Sequence, residues 1–467
     1  MPLPEELAGI VGAGRVVTDE QRLAPYLEER RGLYRSHCLA AVFPASTAET
    51  AAVVKACAAD HTAIVPQGGN TGLCGGAASD TGQILLNLSR LNGIRDLDAD
   101  NFTLTAEAGC VLADLQRAAA KRDRYFPLSL GAEGSCQIGG NLATNAGGMN
   151  VLHYGNARDL TLGLEVVLAD GRIWNGLNTL RKNNTGYDLK NLFIGAEGTL
   201  GIITAAALKL FPAPRERVVA LAALPDLDAS VELLGRVRST SSDRVSTFEL
   251  IPRIALDFTF RHLTTHRDPF TTSYGWYTLI VLHSTCEEPE LRAGLEEALA
   301  AAFEEERVLD AVIADSHAQA DALLALREAL VEAQRLEGAS IKHDVSVPVS
   351  SVPDFLRAAS RAVTERFPGA RPYPFGHLGD GNIHLNISQP EGMPAEAFLA
   401  LWEEVNAVVF AIVQEFGGSF SAEHGIGLLK LGEMAQYKDP VELALMRDLK
   451  RLLDPRGLMN PGKVVPW

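Results

Sequence analysis

The chain has 467 residues, 47% hydrophobic and 21% charged, with a formal net charge of −16. That length exceeds one ordinary core, so two or three domains are expected, with the composition of a soluble globular protein. The acidic balance argues against nucleic acid and anionic membrane surfaces, yet leaves room for a small anion held by a few local Arg or Lys.

The N-terminus, Met1-Pro2-Leu3-Pro4-Glu5-Glu6, lacks a basic stretch followed by an apolar run, so no secretory signal is expected. The six cysteines include no CxxC pair and read as reduced thiols of a cytoplasmic protein. No run approaches a membrane-spanning length. In chain order, Leu39 to Phe43 reads as a strand and Thr47 to Ala59 as a helix. Thr62 to Val65 is a short strand running into Pro66-Gln67-Gly68-Gly69-Asn70-Thr71-Gly72. Ile84 to Leu88 and Leu104 to Ala108 are further strands. Leu164 to Leu168 and Arg172 to Trp174 flank Asp170-Gly171, a pair suited to a tight primed hairpin turn. Ile202 to Phe211 is a last strand or strand pair, after which Pro212 and Pro214 mark a boundary.

Beyond the prolines glycine thins out. Amphipathic helices, the strongest over Ala318 to Arg335, alternate with β-rich runs at Tyr277 to Leu282 and Ile341 to Val349. Asn382 to Ile387 alternates polar and apolar residues, which places Asn382, His384 and Asn386 on one face of a strand. His377 lies in the glycine-rich approach to it, and Ser421-Ala422-Glu423-His424-Gly425-Ile426-Gly427 follows. Two His and one Glu are usual ligands of a catalytic divalent metal that keeps an open position. His424 is then left to move a proton. Glu423 and His424 point apart on an extended chain, so Gly425 and Gly427 must turn it for both to act at one site.

Two early loops are built to hold a phosphorylated group. Gln67 to Gly76 and Ser129 to Gly148 are dense in glycine and free of Lys and Arg. Backbone N–H groups curled into nests can cradle a pyrophosphate without net positive charge. Gly195 to Ile202 suits close approach to a flat ring or ribose. No Walker A or GxGxxG pattern is present. On the helix around Arg327, Leu323, Leu330 and Val331 stand one turn away, which puts the arginine on an apolar face where it needs an anion.

Taken in order, Pro66–Gly72, Gly139–Gly148 and Gly195–Gly201 resemble the FAD-binding domain of the vanillyl-alcohol oxidase / para-cresol methylhydroxylase superfamily. The two C-terminal motifs, Gly376-His377-Leu378-Gly379-Asp380-Gly381-Asn382 and Ala422-Glu423-His424-Gly425, resemble its branch of D-2-hydroxyacid dehydrogenases, which includes enzymes acting on D-2-hydroxyglutarate and D-lactate and the flavin subunit of glycolate oxidase. The resemblance implies an α+β fold. A two-subdomain FAD-binding domain of the para-cresol methylhydroxylase type would span 1–213. An α+β substrate (cap) domain with antiparallel sheet and helices would span 214–400. A C-terminal helical segment, 401–467, would return to the flavin and complete the active site.

The resemblance further implies a metal held by His377, His384 and Glu423, usually zinc, with manganese and iron compatible with the same ligands. It implies His424 as the base and as a substrate contact, with Arg327, Val331, Lys342 and Asn386 as the other substrate-binding residues. Val331 stands where the family's hydroxyglutarate enzymes carry Thr, which puts the five-carbon diacid in question. The implied FAD contacts are Pro66, Gln67, Gly68, Gly69, Asn70, Thr71, Gly72, Gly134, Ser135, Ile138, Gly139, Asn141, Thr144, Asn145, Gly147, Gly148, Gly155, Glu197, Gly198, Gly201, Ile203 and Asn460. Asn70 occupies the position from which relatives attach flavin covalently, so non-covalent FAD is expected. The expected reaction is oxidation of a D-2-hydroxy acid of the lactate, malate or hydroxyglutarate class. Electrons would go to an electron-transfer flavoprotein or a quinone, with peripheral membrane association through that acceptor and a homodimer among the expected assemblies. A metal-dependent hydrolase, a non-catalytic flavoprotein subunit of a glycolate-oxidase-like complex and an oxygen-using oxidase are the competing readings.

Overall fold

A computed structural model describes residues 1–29, 31–287 and 289–466. The chain forms two compact units. The first comprises Met1–Gly147, Gly155–Ala213 and Glu423–Trp467, and the second Gly148–Tyr154 and Pro214–Ala422. The C-terminal segment expected to begin at 401 is thus divided, with 401–422 in the second unit and only the remainder in the first.

Among the described residues the first unit holds two main sheets and a two-stranded ribbon of Arg124–Tyr125 with Phe211–Pro212. In one main sheet, Ala40–Val42, Ile84–Asn87 and Ile64–Gln67 run parallel and Val16–Val17 adds an antiparallel edge. Parallel strands need a long crossover; the helix Thr47–Ala59 supplies it between Ala40–Val42 and Ile64–Gln67, which flank Ile84–Asn87 on either side. Ser46 caps that helix by accepting from the Glu49 N–H at 3.1 Å. Pro66 cannot donate to a ladder and accordingly sits in the end strand of the order. The other flank of Ile64 is taken by the C-terminal segment: its N–H donates to the Leu458 carbonyl at 2.8 Å, and its carbonyl accepts from the Asn460 N–H at 2.8 Å. The core packs Leu3, Leu7, Val53, Ile64, Ile84, Leu86 and Met459 together. The second sheet is antiparallel, ordered Ile94–Asp98, Thr103–Glu107, Ile202–Lys209, Thr161–Val167, Ile173–Asn175. Its last hairpin departs from the sequence expectation. Gly171 has φ +80° but Asp170 is not left-handed, so the hairpin closes on one left-handed glycine rather than a primed turn.

The second unit carries an antiparallel sheet ordered Val245–Pro252, Trp276–Ser284, Glu216–Leu224, Asp310–Ile313. In a smaller sheet Asn382–Ser388 pairs with Ser340–Ile341, Asp344–Ser346 and Arg371–Phe375. The expected β-run from Ile341 to Val349 is therefore two short strands. The helix expected over Ala318 to Arg335 spans His317–Glu337, capped by Ser316. Leu323, Leu326, Leu330 and Ala333 of this helix enter the core with Tyr277, Leu279 and Tyr373. Among the described residues no helix is long and apolar enough to cross a membrane.

Candidate active site

In the first unit the glycine loops surround an open cleft. Its walls are the stretch from Pro66 to Ala78, residues from Cys136 to Thr144, and Glu197, Gly198, Gly201, Ile202 and Ile203. His424 also lines it. The glycines serve two purposes. A Cβ at Gly69 would stand 2.1 Å from the Ser135 carbonyl oxygen and one at Gly198 would stand 2.4 Å from Pro66 Cγ, so these let one loop touch another. A Cβ at Gly72 or Gly140 would meet no atom of the chain within 4 Å, so there the bare backbone faces open space. The side-chain oxygens of Gln137 and Asn141 are buried without a hydrogen-bond partner. A cleft walled by bare backbone and edged by buried polar atoms without a protein partner fits a bound flavin nucleotide.

Of the expected FAD contacts, Pro66 to Gly72, Gly139, Asn141, Thr144, Glu197, Gly198, Gly201 and Ile203 line this cleft. Ser135 lines a neighbouring pocket with Gly69, Asn70 and Thr71. Gly134, Ile138, Asn145, Gly147, Gly148, Gly155 and Asn460 are not in the lining. Several of these do local work instead. Asn145 Oδ1 accepts from the Arg158 N–H at 2.9 Å. Asn460 donates to the carbonyls of Gly76 at 3.0 Å and Glu197 at 2.6 Å. Gly155 turns against Asp159 with φ +79°. The side chain of Gln67 is also committed, donating to the Tyr26 carbonyl at 2.8 Å and accepting from Asn87 at 3.0 Å. Glu29, Ser36, Leu88 and Ala108 line the cleft with no signal in the sequence.

The turn that carries His424 is held by the same loops. Gly425 has φ +79° and Gly427 φ +53°. Glu197, itself at φ +49°, accepts from the N–H groups of Ile426 at 2.7 Å and Gly427 at 3.0 Å. Its side chain therefore grips the turn rather than the cofactor space. Burial pushes its carboxyl up, against the lowering pull of those two N–H groups. The Cys74 carbonyl accepts from Leu428 at 2.9 Å and Leu429 at 3.2 Å. As the glycines required, the two neighbours come to one side: His424 Nε2 lies 3.7 Å from Glu423 Oε1.

In the second unit the predicted alternation of Asn382–Ser388 holds. His384 pairs in register with Asp344 and with Phe375. Asp344, not singled out by sequence, and His384 offer ligand atoms within 4.8 Å of each other. Asn382 donates to Asp344 at 2.9 Å. Asn386 shares its face, but its amide donates to Gln334 at 2.8 Å, so one of its donors is spent inside the protein. Lys342 is half-buried between buried Ile341 and His343. Both ring nitrogens of His343 are engaged, with the Leu385 carbonyl at 2.8 Å and Asn406 at 3.0 Å, marking a core histidine.

Arg327 is buried as anticipated, and its in-chain partner is Glu249, whose Oε2 accepts from Nε at 2.6 Å. The other oxygen of Glu249 hydrogen-bonds His377 Nδ1. Burial alone would raise the Glu249 carboxyl, but Arg327 and His377 outweigh it and hold the group down at about 2. A carboxylate on Nδ1 is the kind of outer partner that metal-ligating histidines carry. His384 and Asp344 are donors of the kind a divalent cation takes, and His377 is not among the close ligand atoms grouped with them. Val331 corrects the apolar-face reading: Leu323 and Leu330 are buried, but Val331 is 47% exposed.

Residues 213–464 match the family of FAD linked oxidases, C-terminal domain, and residues 38–176 match a FAD binding domain family. The chain is 37% identical over 457 residues to the mitochondrial D-2-hydroxyglutarate dehydrogenase of Arabidopsis thaliana, covering 98% of this chain and 80% of that protein. It is 38% identical over 454 residues to the D-2-hydroxyglutarate dehydrogenase of Xanthomonas citri pv. viticola, covering 97% of this chain and 95% of that one. Among solved structures, p-cresol methylhydroxylase with substrate bound superimposes with a TM-score of 0.76 at 17% identity, covering 99% of this chain and 96% of that one. An alkyldihydroxyacetonephosphate synthase gives 0.73 at 16% identity, covering 98% and 84%. These two show a shared fold.

Proposed function

Because this chain belongs to the FAD-linked oxidases, within the group of D-2-hydroxyglutarate dehydrogenases, we propose that it oxidises a D-2-hydroxy acid to the 2-oxo acid and passes the electrons to an external acceptor. One observation carries the reading: His424 lines the same cleft as the glycine loops, so a proton-transfer group stands at the space fitted for flavin. Bound FAD supplies the acceptor for the C2 hydride, and a divalent cation held by His377, His384 and Glu423 supplies Lewis-acid polarisation of the hydroxyl. His424 takes the hydroxyl proton as general base. Glu197 keeps that histidine in place through the Ile426 and Gly427 amides.

Arg327 recognises a substrate carboxylate. Its Nε is spent on Glu249, which leaves the paired terminal NH2 groups for bidentate contact. Lys342 adds charge, and Asn386 orients the acid through the amide capacity Gln334 does not use. FAD is held without a covalent bond, since Asn70 offers no nucleophile to the flavin. The reading includes zinc, or manganese or iron, as the metal, an electron-transfer flavoprotein or quinone as acceptor, and a cytoplasmic enzyme.

The test is an anaerobic absorption titration of the purified protein with D-lactate, D-malate and D-2-hydroxyglutarate. Bleaching of a yellow protein by one of these acids is expected. His424→Ala should keep the yellow colour and slow bleaching about 10²–10⁴-fold. A colourless protein that takes up no FAD, or a His424→Ala variant bleached at the wild-type rate, would refute the reading.

A further inference from the structure

We propose that Glu249 is a positioning residue that couples the two halves of the substrate site, setting the His377 ring for the metal and the Arg327 guanidinium for the substrate carboxylate. The inference rests on the function proposed above and adds a residue to it.

Glu249 lies in the strand Val245–Pro252, between buried Phe248 and Leu250. Its side chain has no exposed surface. A carboxylate in such a site is strongly destabilising unless its oxygens are paired. One arginine would suffice for a structural ion pair. Here the oxygens are divided: Oε2 takes Arg327 Nε at 2.6 Å, and Oε1 takes His377 Nδ1. The division has two chemical effects. The contact at Nδ1 sets the orientation of the His377 ring. The contact at Nε uses the side of the guanidinium that leaves its two-NH2 edge for a second carboxylate.

The backbone holds the three residues in this relation. Leu250 and Gly376 form an isolated antiparallel bridge, with N–H to carbonyl contacts of 2.9 and 3.1 Å, so the residues beside them, Glu249 and His377, are set in register. Gly376 has φ +137°, a conformation L side chains rarely adopt. The Arg327 guanidinium carbon lies 5.1 Å from the centre of the Phe375 ring, which confines it from the other side.

The experiment uses the full-length, flavin-loaded protein, stripped with a chelator and titrated with Zn2+, alongside KM and kcat for the acid that bleaches the flavin. Glu249→Gln should weaken Zn2+ binding about 10–100-fold, the usual effect of removing a ligand's outer partner. KM for the acid should rise while FAD content stays full. Arg327→Met should raise KM and leave Zn2+ affinity unchanged. If Glu249→Gln folds poorly, the double variant with Arg327→Met removes both buried charges and should show the same loss of Zn2+ affinity against Arg327→Met alone. Wild-type Zn2+ affinity and KM in Glu249→Gln would overturn the proposal and leave the dehydrogenase reading intact. A wild-type protein that turns over at full rate without binding metal would overturn both.

Discussion

Lys450 is the place where one substitution should loosen the flavin cleft from a distance. Its ammonium has three protons, and all three are used: on the Thr199 carbonyl at 2.7 Å, on Asp454 Oδ2 at 2.6 Å and on the Met459 carbonyl at 2.7 Å. The lysine is 3% exposed and Asp454 1%. Burial lowers the lysine's pKa, with Asp454 pulling it back up. Lys450→Met strands two carbonyls and leaves Asp454 with only the N–H groups of Leu458 at 3.0 Å and Met459 at 2.8 Å. Breaking one side of a buried pair costs about 3–5 kcal/mol. At about 2–4 °C per kcal/mol for a domain of this size, the melting temperature should fall by roughly 6–20 °C. Differential scanning calorimetry reads the fall, and release of flavin fluorescence should begin at the same temperature, because Thr199 follows the cleft residues Glu197 and Gly198. Adding Asp454→Asn removes the stranded charge and should recover part of the loss. A fall of less than about 2 °C, or a double variant no better than the single, would refute the assignment of stability to this pair.

Three further outcomes are expected. Gly427→Ala places a Cβ 2.0 Å from the Cys74 carbonyl oxygen at a φ of +53°; the turn must move, and flavin bleaching should slow about 10²-fold, as for a misplacement of about 1 Å, whereas a wild-type bleaching rate would show the turn does not position the base. Lys463 is buried, and burial lowers it from 10.5 to about 8 against the raising pull of Asp80 and Glu197. Between those values the unfolded chain binds more protons, so the lysine's contribution to stability rises as pH increases through that window; the melting temperature of wild type minus that of Lys463→Met should grow from pH 8 to pH 10, and a flat difference would contradict the shift. Val331→Thr adds a hydroxyl at a 47% exposed position; if that side chain faces substrate, one added hydrogen bond of about 0.5–1.5 kcal/mol should lower KM for D-2-hydroxyglutarate about 2–12-fold relative to D-lactate, and an unchanged ratio would remove Val331 from the site.

The parts legible in the sequence were those carried by local periodicity or by glycine. Alternation alone put His384 and Asn386 on one face of their strand, and the pair Gly425 and Gly427 demanded the turn that brings Glu423 beside His424. Helical spacing found that Arg327 is buried but misplaced Val331, because Leu323 and Leu330 stand to one side of Arg327 round the helix and Val331 to the other, past the edge of the buried stripe. Glu249 went unnoticed although a signal was present: a lone carboxylate inside the apolar strand Val245–Pro252 must answer to a buried cation. Its partners lie 78 and 128 residues away, a separation no local pattern encodes. The commitments of Gln67 and Asn460 to internal hydrogen bonds were hidden for the same reason. A motif shows which residues approach a cofactor, but not whether backbone or side chain does so.

The strand Ile64–Gln67 receives its last partner from Leu458 to Asn460, nearly four hundred residues downstream. The second unit, apart from its short piece at Gly148–Tyr154, is one unbroken stretch of chain. On the ribosome the order of completion is therefore inverted. The middle of the polypeptide can close its own sheets while the first unit still waits with one edge of Ile64 unpaired and the apolar seat of Met459 empty. The flavin-holding part is the first to emerge and the last to be finished, so a stalled or truncated chain would present that open edge to any neighbouring strand.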